Sequence, residues 1–174
     1  MRNVLIPTDF SVASLTLVEQ TAQTLEGESL SIVLFHAFEI PTFASDLLDI
    51  RNKLPYQDLV TEAFRNACKR IKLQHSKTLR SIAIRHLYGN TVAVFRNFVD
   101  ANDIDLIVSP EGYVFHAVLP GSVNPQSLFI KASVPLLTAF KPVQKPSTPP
   151  VKKEKIHAVK EEYPVSLHIR QDTL

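Results

Sequence analysis

The sequence predicts an α/β domain over residues 1–141, built on a doubly wound five-stranded parallel sheet, with a C-terminal extension over residues 142–174. Short, continuously apolar segments, typical of strands buried on both faces, alternate with longer segments in which apolar residues recur at helical spacing. Strands that alternate with helices pair in parallel through right-handed crossovers, which favours helices on both faces of the sheet. At 174 residues, the chain has room for one such domain and an extension.

Each predicted strand is a short apolar segment bounded by turn residues. Residues 2–8 and 30–38 (RNVLIPT and LSIVLFHAF) are predicted to be buried strands, the second rich in β-branched and aromatic residues. Residues 81–89 (SIAIRHLYG) alternate apolar and polar side chains, which indicates a half-covered strand near an edge. Residues 105–110 and 134–140 (DLIVSP and VPLLTAF) supply the fourth and fifth strands.

Four helices are predicted between these strands from the spacing of their apolar residues. The first begins behind a cap at Ser11, and the second spans about residues 56–76. The third begins at Asn90 or Thr91, and the last lies in the segment before the fifth strand. Residues 41–55 have no clear period, and the sequence leaves open whether they form a lid or a helix.

Charge and composition argue against several classes of function. Residues 1–141 contain thirteen Lys or Arg and thirteen Asp or Glu, so the domain lacks the basic stripe of a nucleic-acid-binding surface. No apolar run reaches the ~18–20 residues that cross a bilayer, so no membrane partner is expected. The first ten residues are too weakly apolar for a secretory signal. The single cysteine, Cys68, has the position of a structural thiol and suits a reducing compartment, so we expect a cytoplasmic protein.

Residues 142–174 form a tail rich in proline, lysine and glutamate. Residues 142–151 are predicted to be extended, polyproline-like chain. In residues 163–169 (YPVSLHI), apolar side chains alternate with polar ones, which predicts a short strand that docks on a sheet edge of its own chain or of a dimer partner. The alternative for the tail is disorder.

Three segments together resemble the universal stress protein family. VLIPTDFSVAS is similar to that family's first strand, the aspartate at its end and the helix that follows. IDLIVSP is similar to its fourth strand, and PGSVNPQSLFIKASVPLL to its Gly-Ser helix start and its proline-led last strand. The resemblance covers roughly residues 1–140. It implies a Rossmann-like sheet in the strand order 3-2-1-4-5, with a nucleotide site in many members.

In the family's ATP-binding members, the fourth strand runs into Gly-x2-Gly-x9-Gly-Ser, whose glycines let backbone N–H groups approach the phosphates. The resemblance places the final pair at Gly121 and Ser122. It places the second glycine at Gly112 and the first at Ser109, where this chain has no glycine. Eight residues, rather than nine, separate Gly112 from Gly121.

The loop departs from this pattern in ways that weaken a phosphate site. Pro110 has no N–H to donate, and its ring crowds a loop that must approach an anion closely. Glu111 places negative charge near a triphosphate, at a cost of about 1 kcal/mol or more if both are partly desolvated. We therefore expect the phosphate half of the site to be degenerate.

The adenosine half matches the family better. The resemblance places Pro7, Thr8 and Asp9 at the end of the first strand. There, Asp9 would accept hydrogen bonds from ribose hydroxyls or help to hold a metal-bound phosphate. The backbone at Ala37 and Val108 would flank the adenine. The alternative role for Asp9 is to cap the first helix through the N–H groups at its start.

The sequence gives no indication of catalysis. His36 lies within an apolar strand, where a hydrogen-bonded core histidine is the favoured interpretation over a ligand. His116 has no carboxylate or cysteine at ligand spacing, which argues against a zinc site. The sequence also lacks a glycine-flanked nucleophilic serine, a Walker lysine and an SGGxDS loop.

These observations favour a non-enzymatic stress-response module that forms a homodimer through the edge of its fifth strand. Its protein partner is not identified by the sequence, and no cofactor is required. The alternative is a regulator that senses ATP, with magnesium, or a related adenine nucleotide through the residual site. An enzyme with ATP turnover that Asp9→Ala abolishes is a third, weaker hypothesis.

We predict that truncation after Lys141 lowers the melting temperature or weakens dimerisation, because the alternating apolar residues of 163–169 would otherwise be exposed. Thermal denaturation and analytical ultracentrifugation of the full and truncated chains measure the two effects. If neither quantity changes, the segment is a free tail.

Overall fold

The computed structural model of the protein describes residues 1–41 and 56–140. Within these residues, the sheet follows the strand order β3-β2-β1-β4-β6, and all pairings along this path are parallel. The predicted order 3-2-1-4-5 is confirmed, because the last strand of that prediction is β6. The strands are β1 (Arg2–Pro7), β2 (Leu30–Phe38), β3 (Leu79–Tyr88), β4 (Leu106–Val108), β5 (Ser122–Val123) and β6 (Leu136–Leu137).

Strand β5 is a feature that the sequence did not predict. It pairs antiparallel with the end of β2, with Ala37 opposite Val123 and Phe38 opposite Ser122. Strand β1 ends where Pro7 pairs with Phe35, so the last residues of β2 have no β1 partner on that side. A two-residue strand has no period, and the sequence indicated only a loop between β4 and the last helix.

Helices cover both faces of the sheet, as a doubly wound fold requires. A short 3-10 turn (Ala13–Leu15) precedes α1, and the helices are α1 (Thr16–Thr24), α2 (Glu62–Gln74), α3 (Val92–Ala101) and α4 (Gln126–Ile130). Helices α1 and α2 share one hydrophobic cluster with the sheet, while α3 and α4 share another on the opposite face.

The alternation of side chains along β1 separates these two clusters. Val4 and Ile6 belong to the cluster under α1 and α2, while Leu5 belongs to the cluster under α3 and α4. All three are fully buried. Because successive side chains in a strand point to opposite faces, the continuous apolar run of β1 must be covered on both sides.

Two helix starts differ from the predictions. The second helix begins at Glu62 rather than near residue 56, because the Thr61 hydroxyl accepts a hydrogen bond from the Phe64 N–H (3.2 Å) and caps it there. The first helix begins at Thr16 behind a 3-10 turn, and the predicted cap at Ser11 lies before that turn, where its hydroxyl accepts the Ser14 N–H (3.1 Å). The third helix begins behind Thr91, one of the two predicted caps.

Some predictions lie outside the described residues. These are the lid or helix within residues 42–55, the extended chain of residues 142–151 and the docking strand of residues 163–169. In residues 1–41 and 56–140, the helices are too short or too polar to span a bilayer.

Candidate functional site

A crevice of about 330 Å³ lies at the carboxyl ends of β1 and β4. Asp9 lines it together with residues of the 3-10 turn and α1. Residues of the loop that follows β4, including Glu111, Gly112 and Tyr113, form the opposite wall. This position, beyond the strand ends and beside the first helix, is where open α/β sheets bind ligands.

Asp9 is held by the first residues of the chain that follows it. Its Oδ1 accepts hydrogen bonds from the Ser11 N–H (2.9 Å) and from the Ser11 hydroxyl (2.6 Å). Burial raises the pKa of the Asp9 carboxyl, but the hydrogen bonds from Ser11 and Ser14 and from the Asp9 backbone together outweigh it, and the pKa lies below its ordinary value. At neutral pH, Asp9 is therefore a carboxylate that braces the turn and also faces the crevice.

Phe10 turns the chain between Asp9 and the first helix. Its backbone adopts a left-handed conformation (φ 60°), which is uncommon for a residue other than glycine. The Thr8 hydroxyl accepts the Phe10 N–H (3.0 Å) and holds this conformation. The Phe10 ring is buried against Tyr56, at a centroid distance of 5.5 Å. The turn thus directs a carboxylate toward the crevice and the next side chain into the core.

The loop after β4 uses several of its N–H groups within the protein. The Ser109 N–H donates to the Leu137 carbonyl (3.0 Å), and the Glu111 N–H donates to the Thr138 carbonyl (3.1 Å). Gly112 has a left-handed backbone (φ 74°), and a Cβ added there would meet no atom within 4 Å. Gly112 is therefore suited to this position by its conformational freedom rather than by a close contact.

The crevice is negative in character. Asp9 and Glu111 contribute carboxylates, and none of the described residues that line it is a lysine or an arginine. Burial and the charge of Asp9 raise the pKa of Tyr113 to about 12, so its phenol is neutral and able to donate a hydrogen bond. This surface suits hydrogen-bond donors better than a phosphate.

Only two of the nine predicted site residues line the crevice. Asp9 and Gly112 line the crevice, whereas Ala37 and Val108 are fully buried behind it. Ala37 pairs with Val123 on one side and with Leu87 on the other.

The remaining predicted residues are engaged within the protein. Pro7 and Thr8 are buried at the end of β1, and Ser109 is half-buried. The Gly121 carbonyl accepts the Glu39 N–H (2.7 Å), and the Ser122 hydroxyl accepts the Val118 N–H (3.1 Å). None of these five residues lines the crevice.

His36 is the buried histidine that the sequence predicted. It is 2% exposed, and both ring nitrogens have partners: Nδ1 lies 2.6 Å from the Thr8 carbonyl oxygen and Nε2 lies 3.0 Å from the Ser122 hydroxyl. The imidazole therefore bridges the end of β1 and the Gly121–Ser122 turn, which lie close together at one end of the sheet. In residues 1–41 and 56–140, no three His, Cys, Asp or Glu side chains cluster as metal ligands would.

The sequence indicated Ser11 only as a helix cap and did not indicate Tyr113, although both line the crevice. Ser11 gave a signal, since a serine two residues after an aspartate often closes an Asx turn. No sequence pattern indicated Tyr113, because the burial of its side chain depends on the fold of the loop. Cys68 is half-buried on α2, and burial raises the pKa of its thiol, which agrees with a structural role.

We predict that Asp9→Ala lowers the free energy of unfolding by about 0.5–2 kcal/mol, because it removes the acceptor of two hydrogen bonds at the helix start. Asp9→Asn keeps an acceptor and should lose less. Urea denaturation at pH 7 measures both, and equal losses would contradict the bracing role of Asp9.

The chain is similar to one protein family and to several solved structures. Three similar solved structures are a universal stress protein from Lactobacillus plantarum (16% identity; 79% of this chain and 96% of that chain covered; TM-score 0.48), a universal stress protein in complex with cAMP (18%; 79% and 94%; 0.43), and a universal stress protein family protein from Arabidopsis thaliana with AMP bound (17%; 79% and 90%; 0.44). No curated protein sequence matches the chain. A model of the universal stress protein family matches residues 1–110, which is more than half of the sequence. The chain therefore belongs to the universal stress protein family.

Proposed function

We propose that this chain is a non-enzymatic, cytoplasmic universal stress protein that acts as a homodimeric module and whose nucleotide site is degenerate. The observation that carries this proposal is the pairing of β5 with the end of β2, where Val123 lies opposite Ala37. In ATP-binding relatives, the resemblance places the adenine beside this stretch of backbone. In this chain, β5 pairs with that backbone, which supports a degenerate site.

The chemistry of the crevice supports the same conclusion. The carboxylates of Asp9 and Glu111 disfavour a polyphosphate, and the N–H groups of Ser109 and Glu111 already donate to protein carbonyls. The last helix, α4, has only five residues, and such a short helix offers little dipole to an anion. A triphosphate would thus meet like charge and few available donors.

The absence of catalysis is part of the proposal, although one pair of side chains has the spacing of a nucleophile and its base. The Ser122 hydroxyl lies 3.0 Å from His36 Nε2. It also accepts the N–H groups of Val118 and Leu119, and Ser122 does not line the crevice. The second ring nitrogen of His36 contacts a carbonyl rather than a carboxylate. These contacts support a structural role for the pair.

An adenine-nucleotide regulator is the second candidate, and the crevice beside Asp9 and Gly112 favours it. We predict that about 1 mM ATP with magnesium leaves the melting temperature unchanged. Binding with a Kd one hundredfold below the ligand concentration would add about 2.7 kcal/mol of stability, which a thermal scan detects. Magnesium alone, AMP and adenosine serve as matched ligand controls. A saturable, ATP-dependent shift that Asp9→Ala abolishes would replace our proposal with the regulator.

The proposed dimer interface is the outer edge of β6. This strand pairs with β4 on one side, with Ile107 opposite Leu136 and Val108 opposite Leu137, and it ends the sheet path of the described residues. An edge strand presents N–H and C=O groups that can pair with another chain. Pairing with the same strand of a second copy would continue the sheet across a two-fold axis.

We predict that the wild-type chain sediments as a dimer and that Ala139→Asp, an exposed change beside β6, shifts it toward the monomer. Near a two-fold axis, the new carboxylate would lie close to its own copy and repel it. Ser127→Asp adds the same charge on the exposed surface of α4 and should leave the dimer intact. A monomeric wild type, or equal effects of the two substitutions, would refute this interface.

A further inference from the structure

The hydroxyl of Ser122 makes three hydrogen bonds, which is the full capacity of a hydroxyl group. The N–H groups of Val118 and Leu119 each donate to its Oγ at 3.1 Å. His36 Nε2 lies 3.0 Å from the same oxygen. A hydroxyl has two lone pairs and one proton, so the two amides occupy the lone pairs and the proton points to His36. His36 Nε2 must therefore be an acceptor without a proton.

The other ring nitrogen of His36 leads to the same assignment. Nδ1 lies 2.6 Å from the carbonyl oxygen of Thr8, and a carbonyl only accepts hydrogen bonds. Nδ1 therefore carries the proton of the neutral ring. The imidazole donates to the end of β1 and accepts from the turn before β5, and it joins the two through the interior.

We propose that His36 and Ser122 form a pH-sensitive latch, which holds residues 118–121, the turn before β5, in place while the imidazole is neutral and releases them when it is protonated. A protonated ring has an N–H at both nitrogens. The Ser122 oxygen would then face three N–H donors with two lone pairs, so at least one of the Val118 and Leu119 amides must lose its acceptor. Residues 118–121 have few other anchors, chiefly the Gly121 carbonyl bonded to the Glu39 N–H and the half-buried Val118.

The groups around His36 determine when the latch opens. From the turn after β1, the carboxylate of Asp9 favours the protonated ring. From β3, His86 stands opposite His36 in the strand register, and burial lowers the pKa of His86 and disfavours its charged form. From the loop after β4, the Phe115 ring stacks on the imidazole, at a centroid distance of 5.9 Å and an interplanar angle of 29°. The titratable residues of the loop beside Phe115 are Tyr113 and the exposed His116.

Burial of the ring has the largest influence and lowers the pKa of His36, while the Thr8 carbonyl and the charge of Asp9 raise it in part. The pKa in the folded protein lies below 6.5, the ordinary value. The latch is therefore closed at neutral pH. In the open segment His36 regains solvent and a more ordinary pKa, so the contribution of the latch is complete above pH 6.5 and is lost as the pH falls below it.

Amide hydrogen exchange of the full chain, followed by NMR as a function of pH, tests this latch without any ligand. Protection factors, corrected for intrinsic exchange, should be constant above about pH 7 for the amides of Val118 and Leu119. They should then fall by up to about tenfold per pH unit at lower pH. The decline should begin near pH 6.5 and level off at the pH where the His36 imidazole nitrogens of the folded protein titrate in the same samples. Protection at Leu34, in the centre of β2, should remain high and thereby distinguish local release from global unfolding.

Matched variants separate the latch from other titrations. His86→Gln and His116→Gln should keep the pH profile of the wild type. Ser122→Ala should lower the protection of the two amides at neutral pH, to about the level that the wild type reaches at low pH, and flatten their profile. If that variant does not fold, the wild-type titration alone decides. A proton found on Nε2 at pH 7.5, protection independent of pH while His36 titrates, or a loss shared with Leu34 would each overturn the proposal.

Discussion

The difference in length between the two central strands determines the arrangement of the candidate site. Strand β2 has nine residues and β1 has six, and their pairing ends where Pro7 meets Phe35. The last three residues of β2 therefore extend beyond β1 with one backbone edge uncovered. Unpaired backbone groups that are shielded from water cost free energy, so this edge must be satisfied by a ligand, water or another part of the chain. Here β5 pairs with it.

The polar groups at this end of the sheet satisfy one another. In the described residues, every fully buried side-chain nitrogen or oxygen has a hydrogen-bond partner. Asp9 binds Ser11, Thr8 binds Ser14 and Phe10, and His36 links the end of β1 to the turn before β5. A preformed nucleotide site would instead leave donors unpaired until its ligand arrives. This saturation of the buried side chains supports, beside the pairing of β5 with β2, our proposal of a degenerate site.

Local pattern was sufficient to predict most of the fold. The strands β1 and β2 were evident because continuous apolar runs need cover on both faces, and residue type narrowed the cap of α3 to Asn90 or Thr91 without deciding between them. The start of α2 was missed because Leu59 and Val60, which lie in a turn, continue the apolar spacing of the helix. The contact of Ser122 with His36 spans 86 positions, and no local pattern encodes a partner that distant. The position of Asp9 was predictable from the end of the first strand. Its role was not, because the sequence allowed both ligand binding and capping of the first helix.

The left-handed backbone of Phe10 restricts which residues can replace it. Glycine or asparagine would suit the conformation better, but neither could fill the space that the phenyl ring occupies beside Tyr56 and Phe64. A branched aliphatic residue would fill part of that space at a higher conformational cost. Few side chains satisfy both requirements, so an attempt to redesign this crevice would do best to retain the phenylalanine and vary the polar residues on either side of it.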